Sequence, residues 1–486
     1  MDKWKRTIFF WVLVLLFLIT VPTIILNAKG YRFDKNRGVF VHSGTITFKS
    51  NPQAVEVKVD DEIFESKKLN RINNSLNLSG IIPGEHTLKI SADGFQSWGK
   101  KINIHSGVAT EFWNVLLVRN NYEKINLNAS GIEKFFISPK NDLLAYIVNS
   151  NKDLGIKILN LETDLVEQEF NFTDWEFIDD AKKENIEWSP DNSFLSIPVK
   201  RQVETSYEYS YFIYDFEKET NLNLPELLDK KDINDVRWDP KDNGFLFFLE
   251  GNTLFRVNIK NPKEIILIAD NVSSYDLSGS YVHYAKDSGL LFRNNLNGSG
   301  DPFQITSNSP WGEDFKVSRI AIYDEGRIAI ILNNKDFYIF NEGEHGDYFR
   351  KLADDIEEAH FSNDGKKILF WSNNEIFVYF LRDQFSQPIR QEDEMYTITR
   401  YSEPIKNVQW FKDYEHIIFN SGSWIKIIEI DIRDRANSMD LVNTKNKNPF
   451  VIYNNSLEKL YFIDTSNLYS LDFPEKTTIF GVEIGG

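Results

Sequence analysis

Hydrophobic and polar positions follow three successive rhythms along this chain. From Thr7 to Leu26 the sequence TIFFWVLVLLFLITVPTIIL carries no charge over 20 residues. A helix of that length rises about 30 Å, the thickness of a bilayer's hydrocarbon core. The second rhythm has a period of two, as in Thr45-Ile46-Thr47-Phe48 and Val55-Glu56-Val57-Lys58-Val59. It predicts strands with one buried and one wet face. Asp60-Asp61, Pro83-Gly84, Asp93-Gly94 and Ser106-Gly107 supply turn chemistry between such stretches. The expectation is five or six short strands in about 80 residues, a count that suits a small β-sandwich.

The third rhythm fills residues 121–486. Each unit has a short apolar strand, a polar turn, a second strand rich in Ile, Leu and Phe, and a third strand. The turns open at Ser138, Ser189, Asp239, Ser278, Asp324, Ser362, Phe411 and Asn454, with successive gaps of 51, 50, 39, 46, 38, 49 and 43 residues. A recurrence near 45 residues with several strands per unit is the signature of a propeller blade. One such unit cannot bury both faces of its sheet, so the units must stack in a ring. Eight copies predict eight blades, with seven as the alternative if one degenerate copy is not a full blade. The expected fold class is all-β: one membrane helix in residues 1–28, a sandwich with a basic linker in 29–120, and a propeller in 121–486.

The flanks of the apolar segment decide between an anchor and a cleaved signal. Lys3, Lys5 and Arg6 precede it, and Trp4 and Tyr31 stand where interfacial aromatics belong. A cleaved signal has an apolar core of about 7–15 residues and a small-x-small site, which Leu26-Asn27-Ala28 does not provide. A retained single-pass anchor is expected. Its amino terminus is expected inside, with the later domains outside the cytoplasm, although Lys29, Arg32, Lys35 and Arg37 nearly balance the charge across the segment.

Charge narrows the partners. The net charge of −17 divides into +6 for residues 1–120 (16 basic, 10 acidic) and −23 for the rest (39 basic, 62 acidic). A domain this acidic is a poor partner for nucleic acid, whose affinity comes from phosphate neutralisation. Acidity serves solubility first, with an acidic mouth for basic ligands as the sharper alternative. The 14% aromatic content favours strands, and the absence of cysteine excludes disulfides, zinc-thiolate sites and a cysteine nucleophile.

Two resemblances add to this reading. Residues Ser50-Asn51-Pro52-Gln53-Ala54, Val57 to Asp61, Ile82-Pro83-Gly84-Glu85-His86, Ala92-Asp93-Gly94-Phe95 and His105-Ser106-Gly107 resemble the PEGA domain of bacterial and archaeal surface proteins over about 75 residues. A Gly usual before Ala54 is missing, Asp61 replaces a common Gly, and the family's Gly-x-Thr-Pro is not visible around Ser66–Leu69. The resemblance implies an extracytoplasmic stalk or adhesion-like module without catalytic residues. Trp188 to Asn192 and Phe361 to Gly365 resemble the Trp-Ser-Pro-Asp-Gly hairpin of TolB-type and WD-repeat propellers. No Trp-Asp dipeptide closes the third strands. That likeness speaks for architecture, since propellers host many unrelated functions.

No motif carries chemistry. The chain has no His-Glu-x-x-His, no phosphate loop and no Gly-x-Ser-x-Gly elbow. Asn295, Asn297, Ser299 and Asp301 alternate as in a Ca²⁺ loop, but with one carboxylate they read as a link. Ser362 to Gly365 is similar to an Asp box, and its phase makes it a blade turn. The adjacent pairs Asp179-Asp180 and Asp354-Asp355 point to opposite faces if they lie on strands, which speaks against a catalytic pair. His86 and His105 sit at strand ends without further ligands, and the tryptophans of the turns recur in phase, as core residues do. No catalytic, cofactor or metal residue is expected, and the binding residues stay unassigned. The expected function is a membrane-anchored envelope protein that binds an envelope protein or polymer. The alternatives are a glycosidase or lyase with carboxylates converging from different blades, and a structural part of envelope assembly.

Overall fold

The computed structural model describes residues 3–35, 37–52, 55–60, 62–64, 69–70, 75–150, 153–179, 186–312, 314–344, 346–473, 477–479 and 482–484. Helix α1 (Lys3–Ala28) contains the apolar run and Pro22, buries no residue against the rest of the protein, and is long and apolar enough to cross a membrane. Thr20 and Thr23 donate their hydroxyls to the carbonyls of Leu16 and Ile19, one turn back along the helix. Gly30, at φ +85°, turns the chain off the helix axis, a conformation that suits glycine. Strands β1 (Tyr31–Asp34) and β2 (Val39–His42) then form a hairpin.

The period-two segment folds into two sheets with one core. Strands β3 (Gly44–Asn51), β4 (Glu56–Val59), β5 (Glu62–Phe64), β6 (Leu69–Asn70), β7 (Ser75–Ile81), β8 (Gly84–Ser91), β9 (Trp98–Ile104) and β10 (Ala109–Leu116) follow in the chain. One sheet has the order β10-β3-β7-β6 and the other β5-β4-β8-β9. Ile46 and Phe48 of the first sheet share a core with Val57, Leu88, Ile90 and Trp98 of the second. Eight strands replace the expected five or six: β7 alternates as plainly as its neighbours, while β5 and β6 are too short to show a period. Asp61 and residues 66–68 lie outside the described residues.

From residue 125 on, four-stranded antiparallel sheets succeed one another. The first runs through 132–137, 143–150, 153–160 and 165–172. In the second, Glu176–Phe177 and Glu187–Trp188 both pair with Phe194–Val203, followed by 206–215 and 220–223. The first strands of the third to seventh sheets are Ile233–Trp238, Val272–Ser278, Val317–Asp324, Glu358–Phe361 and Ile405–Trp410. The eighth holds 451–454, 459–464 and 467–472, and its fourth strand is β11 (Ile125–Ser130), supplied from the other end of the unit. Each of the eight turns found in the sequence joins the first and second strands of its sheet.

The reason for the apolar second strands lies in the stacking. Phe248 packs toward the second sheet and Phe247 toward the fourth, so both faces of the third sheet are buried. The same sharing recurs between every pair of neighbours, and Phe135 and Tyr146 of the first sheet meet Tyr461 and Ile463 of the eighth. The stack is therefore closed, and the fold of this region is a β-propeller. Its last strand ends at Asp472; Thr477–Ile479 and Val482–Ile484 pair with each other outside the ring.

Sandwich and ring are joined by a built interface. Its core is continuous, combining Trp98, Ile102 and Phe112 with Ile427, Met439 and Leu441. Trp98 donates to Glu429, Gln96 to the Asp440 carbonyl, and Arg433 to the Glu111 carbonyl. The connection near 119–122 is also packed: Val118 is buried and Tyr122 sets its ring edge-on to Phe473.

Candidate functional site

First strands of neighbouring sheets lie against one another, which places them at the axis of the ring. Trp188 donates its indole to the carbonyl of Phe136, Trp238 to that of Glu187, and Trp410 to that of His360. Tyr275 does the same to the carbonyl of Asp235. These residues are buried, so the in-phase aromatics are staples between sheets.

The turns hold this register. The Ser189 hydroxyl donates to Asp191 at 2.8 Å and accepts from the Phe194 amide at 2.9 Å, and Ser362 does likewise with Asp364 and Lys367. Ser362 to Gly365 is therefore a hairpin turn of the sixth sheet. Asn295 to Asp301 closes on itself, with Asn295 donating to the Ser299 carbonyl, and no cluster of potential metal ligands occurs among the described residues. Asp354 and Asp355 lie in a bend, not on a strand, and Asp354 pairs with Lys351; Asp179 pairs with Lys134, and Asp180 lies outside the described residues. His86 is fixed between Asp60 and the Ile82 carbonyl.

What the sequence reading passed over is a column of positions two residues before each turn, polar in five of the eight units. That position holds Phe136, Glu187, Arg237, Asp276, Ile322, His360, Gln409 and Ile452, while the flanking positions are apolar or aromatic in all eight units. Alternation within a strand sends the flanking residues into the cores between sheets and this column toward the axis. The signal was present in phase with the turns; each polar residue stands alone in its segment, so it appears only when the units are aligned.

Two charged groups form there. Arg237 places Nε 3.2 Å from Asp235 and Nη1 4.0 Å from Asp276. Burial pushes the Glu187 carboxyl up to about 7, with Arg237 opposing and Asp235 and Asp276 reinforcing. Burial also raises Asp276 against the pull of Arg237. For Arg237 itself burial works against the charge, but Asp235, Glu187 and Asp276 outweigh it and keep the guanidinium protonated. The second group sits on the fifth and sixth sheets, where Arg319 lies 2.7 Å and His360 3.3 Å from the same oxygen of Glu358. Burial works to raise Glu358, yet the hydrogen bond and charge of His360 and the charge of Arg319 bring it down to about 2. Side chains of Arg237, Asp276, Arg319 and Glu358 keep 21–29% of their exposure, so solvent reaches both groups. Three carboxylates around one guanidinium carry excess negative charge, which suits recognition of a cationic group. A second concavity, a groove of about 550 Å³, lies where sandwich and ring meet, lined by Asn114, Asp364, Lys367, Asp383, Phe385 and Glu415.

A closed ring of antiparallel sheets, each sharing a core with its neighbours, defines the class: a β-propeller. No family model and no curated protein matches the sequence. Among solved structures the chain is similar to the β-propeller domain of Myceliophteria thermophila Cps50 (Swd1), at 10% identity over 72% of this chain and 99% of that one, with a TM-score of 0.43. It is similar to the C-terminal WD40 domain of Sif2, at 12% identity over 74% and 99%, with a TM-score of 0.47. Dipeptidyl peptidase 4 of Porphyromonas gingivalis follows at 11% identity, 69% of this chain and 56% of that one, with a TM-score of 0.45.

Proposed function

We propose that this chain is a membrane-anchored scaffold of the cell envelope, held by α1, spaced by a PEGA-type sandwich in residues 29–120, and binding through an eight-bladed propeller in 121–486 outside the cytoplasm. The observation that carries the reading is the first-strand charge column on a closed ring. Its carboxylates lie beside arginines of neighbouring sheets, an arrangement suited to recognition by charge. The charge of −23 on residues 121–486 gives the direction: the partner is a basic envelope protein or polymer.

The test uses the full chain in lipid nanodiscs. Polylysine is expected to bind saturably, to weaken as salt rises, and to lose affinity in Glu187→Gln and Asp276→Asn. Panels of peptide, ester, phosphoester and glycoside substrates are expected to show no turnover. A saturable hydrolysis abolished by Glu187→Gln or Glu358→Gln overturns the scaffold reading in favour of an enzyme. Release of the full chain from membranes by alkaline wash overturns the anchor.

A further inference from the structure

The β1–β2 hairpin has two unlike faces. Tyr31 is paired with His42 and Phe33 with Phe40, so all four rings stand on one face. The rings meet edge to face, 5.1 Å apart in the first pair and 5.3 Å in the second. On the other face Asp34 is buried and the Arg32 guanidinium lies so close over β7 that a Cβ on Gly80 would stand 2.9 Å from it. The sandwich thus covers the Arg32 end of one face, where Val39 at the tip stays 51% exposed, and the outer rung of the aromatic face is open, with Phe33 49% and Phe40 39% exposed.

The position of this face in the chain says what covers it. Arg32 donates to the carbonyl and the side chain of Asn27, in the last turn of α1, at 3.1 and 2.8 Å. Ser43, just past β2, donates through amide and hydroxyl to the Gly30 carbonyl at 2.9 and 2.6 Å. Both ends of the hairpin are therefore tied to the exit of the helix. Phe33 follows Ala28 by five residues, at most about 17 Å of extended chain. Gly30, at φ +85°, breaks the helical path between α1 and the hairpin, and only two residues separate the helix end from the hairpin. Lys35 and Arg37 stand exposed at its tip, Arg37 with Nε 3.4 Å from Asp34.

We propose that this hairpin lies flat on the lipid surface, its aromatic face in the headgroup region, and so sets the tilt of the ring above the membrane; the inference rests on α1 being an anchor. Because the chain has no cysteine, single spin labels can be placed on the full chain in anionic nanodiscs at Phe40→Cys on the aromatic face, Val39→Cys on the opposite face and Leu16→Cys in the helix. The measured quantity is accessibility to oxygen relative to a water-soluble nickel complex. The ratio is expected to be highest at 16, severalfold lower at 40, and lowest at 39. A label at 40 as water-accessible as that at 39, with 16 still in lipid, overturns the hairpin proposal and leaves the anchor standing. A water-accessible label at 16 overturns both. Dipolar broadening at 40 between copies assigns the face to a second chain and overturns the lipid contact.

Discussion

Nζ of Lys100 lies 2.7 Å from Oε1 of Glu429, and the same ammonium donates to the carbonyls of Asp431, Arg433 and Arg435 at 2.7, 3.0 and 2.6 Å. The lysine belongs to the sandwich, Glu429 to the third strand of the seventh sheet and the three carbonyls to the loop that follows it, and neither side chain reaches bulk solvent. Removing one partner of such a pair leaves a buried charge, at a cost of about 3–5 kcal/mol. Lys100→Met is expected to lower stability by that amount in denaturant titration of the full chain. Lys100→Met combined with Glu429→Leu is expected to recover part of it. A single variant within about 1 kcal/mol of the parent would show that the junction does not depend on this pair.

The indole staples predict a smaller loss. Trp238→Phe keeps most of the ring volume but removes the indole donor from the Glu187 carbonyl, which retains the Ser196 hydroxyl. Loss of about 0.5–1.5 kcal/mol is expected, read from the denaturation midpoint at unchanged slope. No change would mean that the Ser196 hydroxyl alone satisfies that carbonyl.

Acidity should act on stability through Glu187 and Glu358 with opposite signs. Between the ordinary value of 4.5 and about 7, folded Glu187 holds a proton that the unfolded chain has released. Its contribution is complete below 4.5 and is lost as pH rises through 7. Glu358, near 2 when folded, contributes fully above 4.5 and loses that as pH falls toward 2. Glu187→Gln is expected to remove the decline between pH 5 and 8 and to exceed the parent at pH 8 by about 1–3 kcal/mol. An unchanged slope in denaturation at the two pH values would place the titrating proton elsewhere.

Gly365 tests the turn geometry. It holds φ +63°, and a Cβ there would stand 2.3 Å from the ring of Tyr323 on the neighbouring sheet. Gly365→Ala combines the left-handed penalty with that clash, so a loss of about 2 kcal/mol or more is expected by thermal unfolding. An alanine variant as stable as the parent would mean that Tyr323 swings away freely.

The architecture was legible because its signals are local. Ser189-Pro190-Asp191-Asn192 builds a turn from its own side chains, and the same chemistry marks Ser138 and Ser362. The apolar second strands, such as Phe245 to Phe248, follow from sheets buried on both sides. The charged column was not legible, because the partners of Arg237 come from three sheets: Glu187 is 50 residues before it and Asp276 39 after, as the repeat length requires. The junction was hidden for a related reason. Nothing near Trp98 and Lys100 signals that a loop at 431–435 will receive them. The connection at 119–122 is packed as well, with Val118 buried and Tyr122 against Phe473.

The pairing of Ile125 with Ser470 bears on the order of assembly. The strand at residues 125–130 waits for the one at 467–472. Until residues 467–472 have emerged, the eighth sheet lacks the partner of β11 and the first sheet lacks its neighbour, so the ring is an arc with two open ends. Closure then requires strands far apart in the chain to meet, a slow step by contact order. During that interval the open edges are exposed to pairing with other chains. Any helper that shields nascent chains would therefore matter most until residue 472 has emerged, and a chain truncated before residue 467 would remain in that vulnerable form.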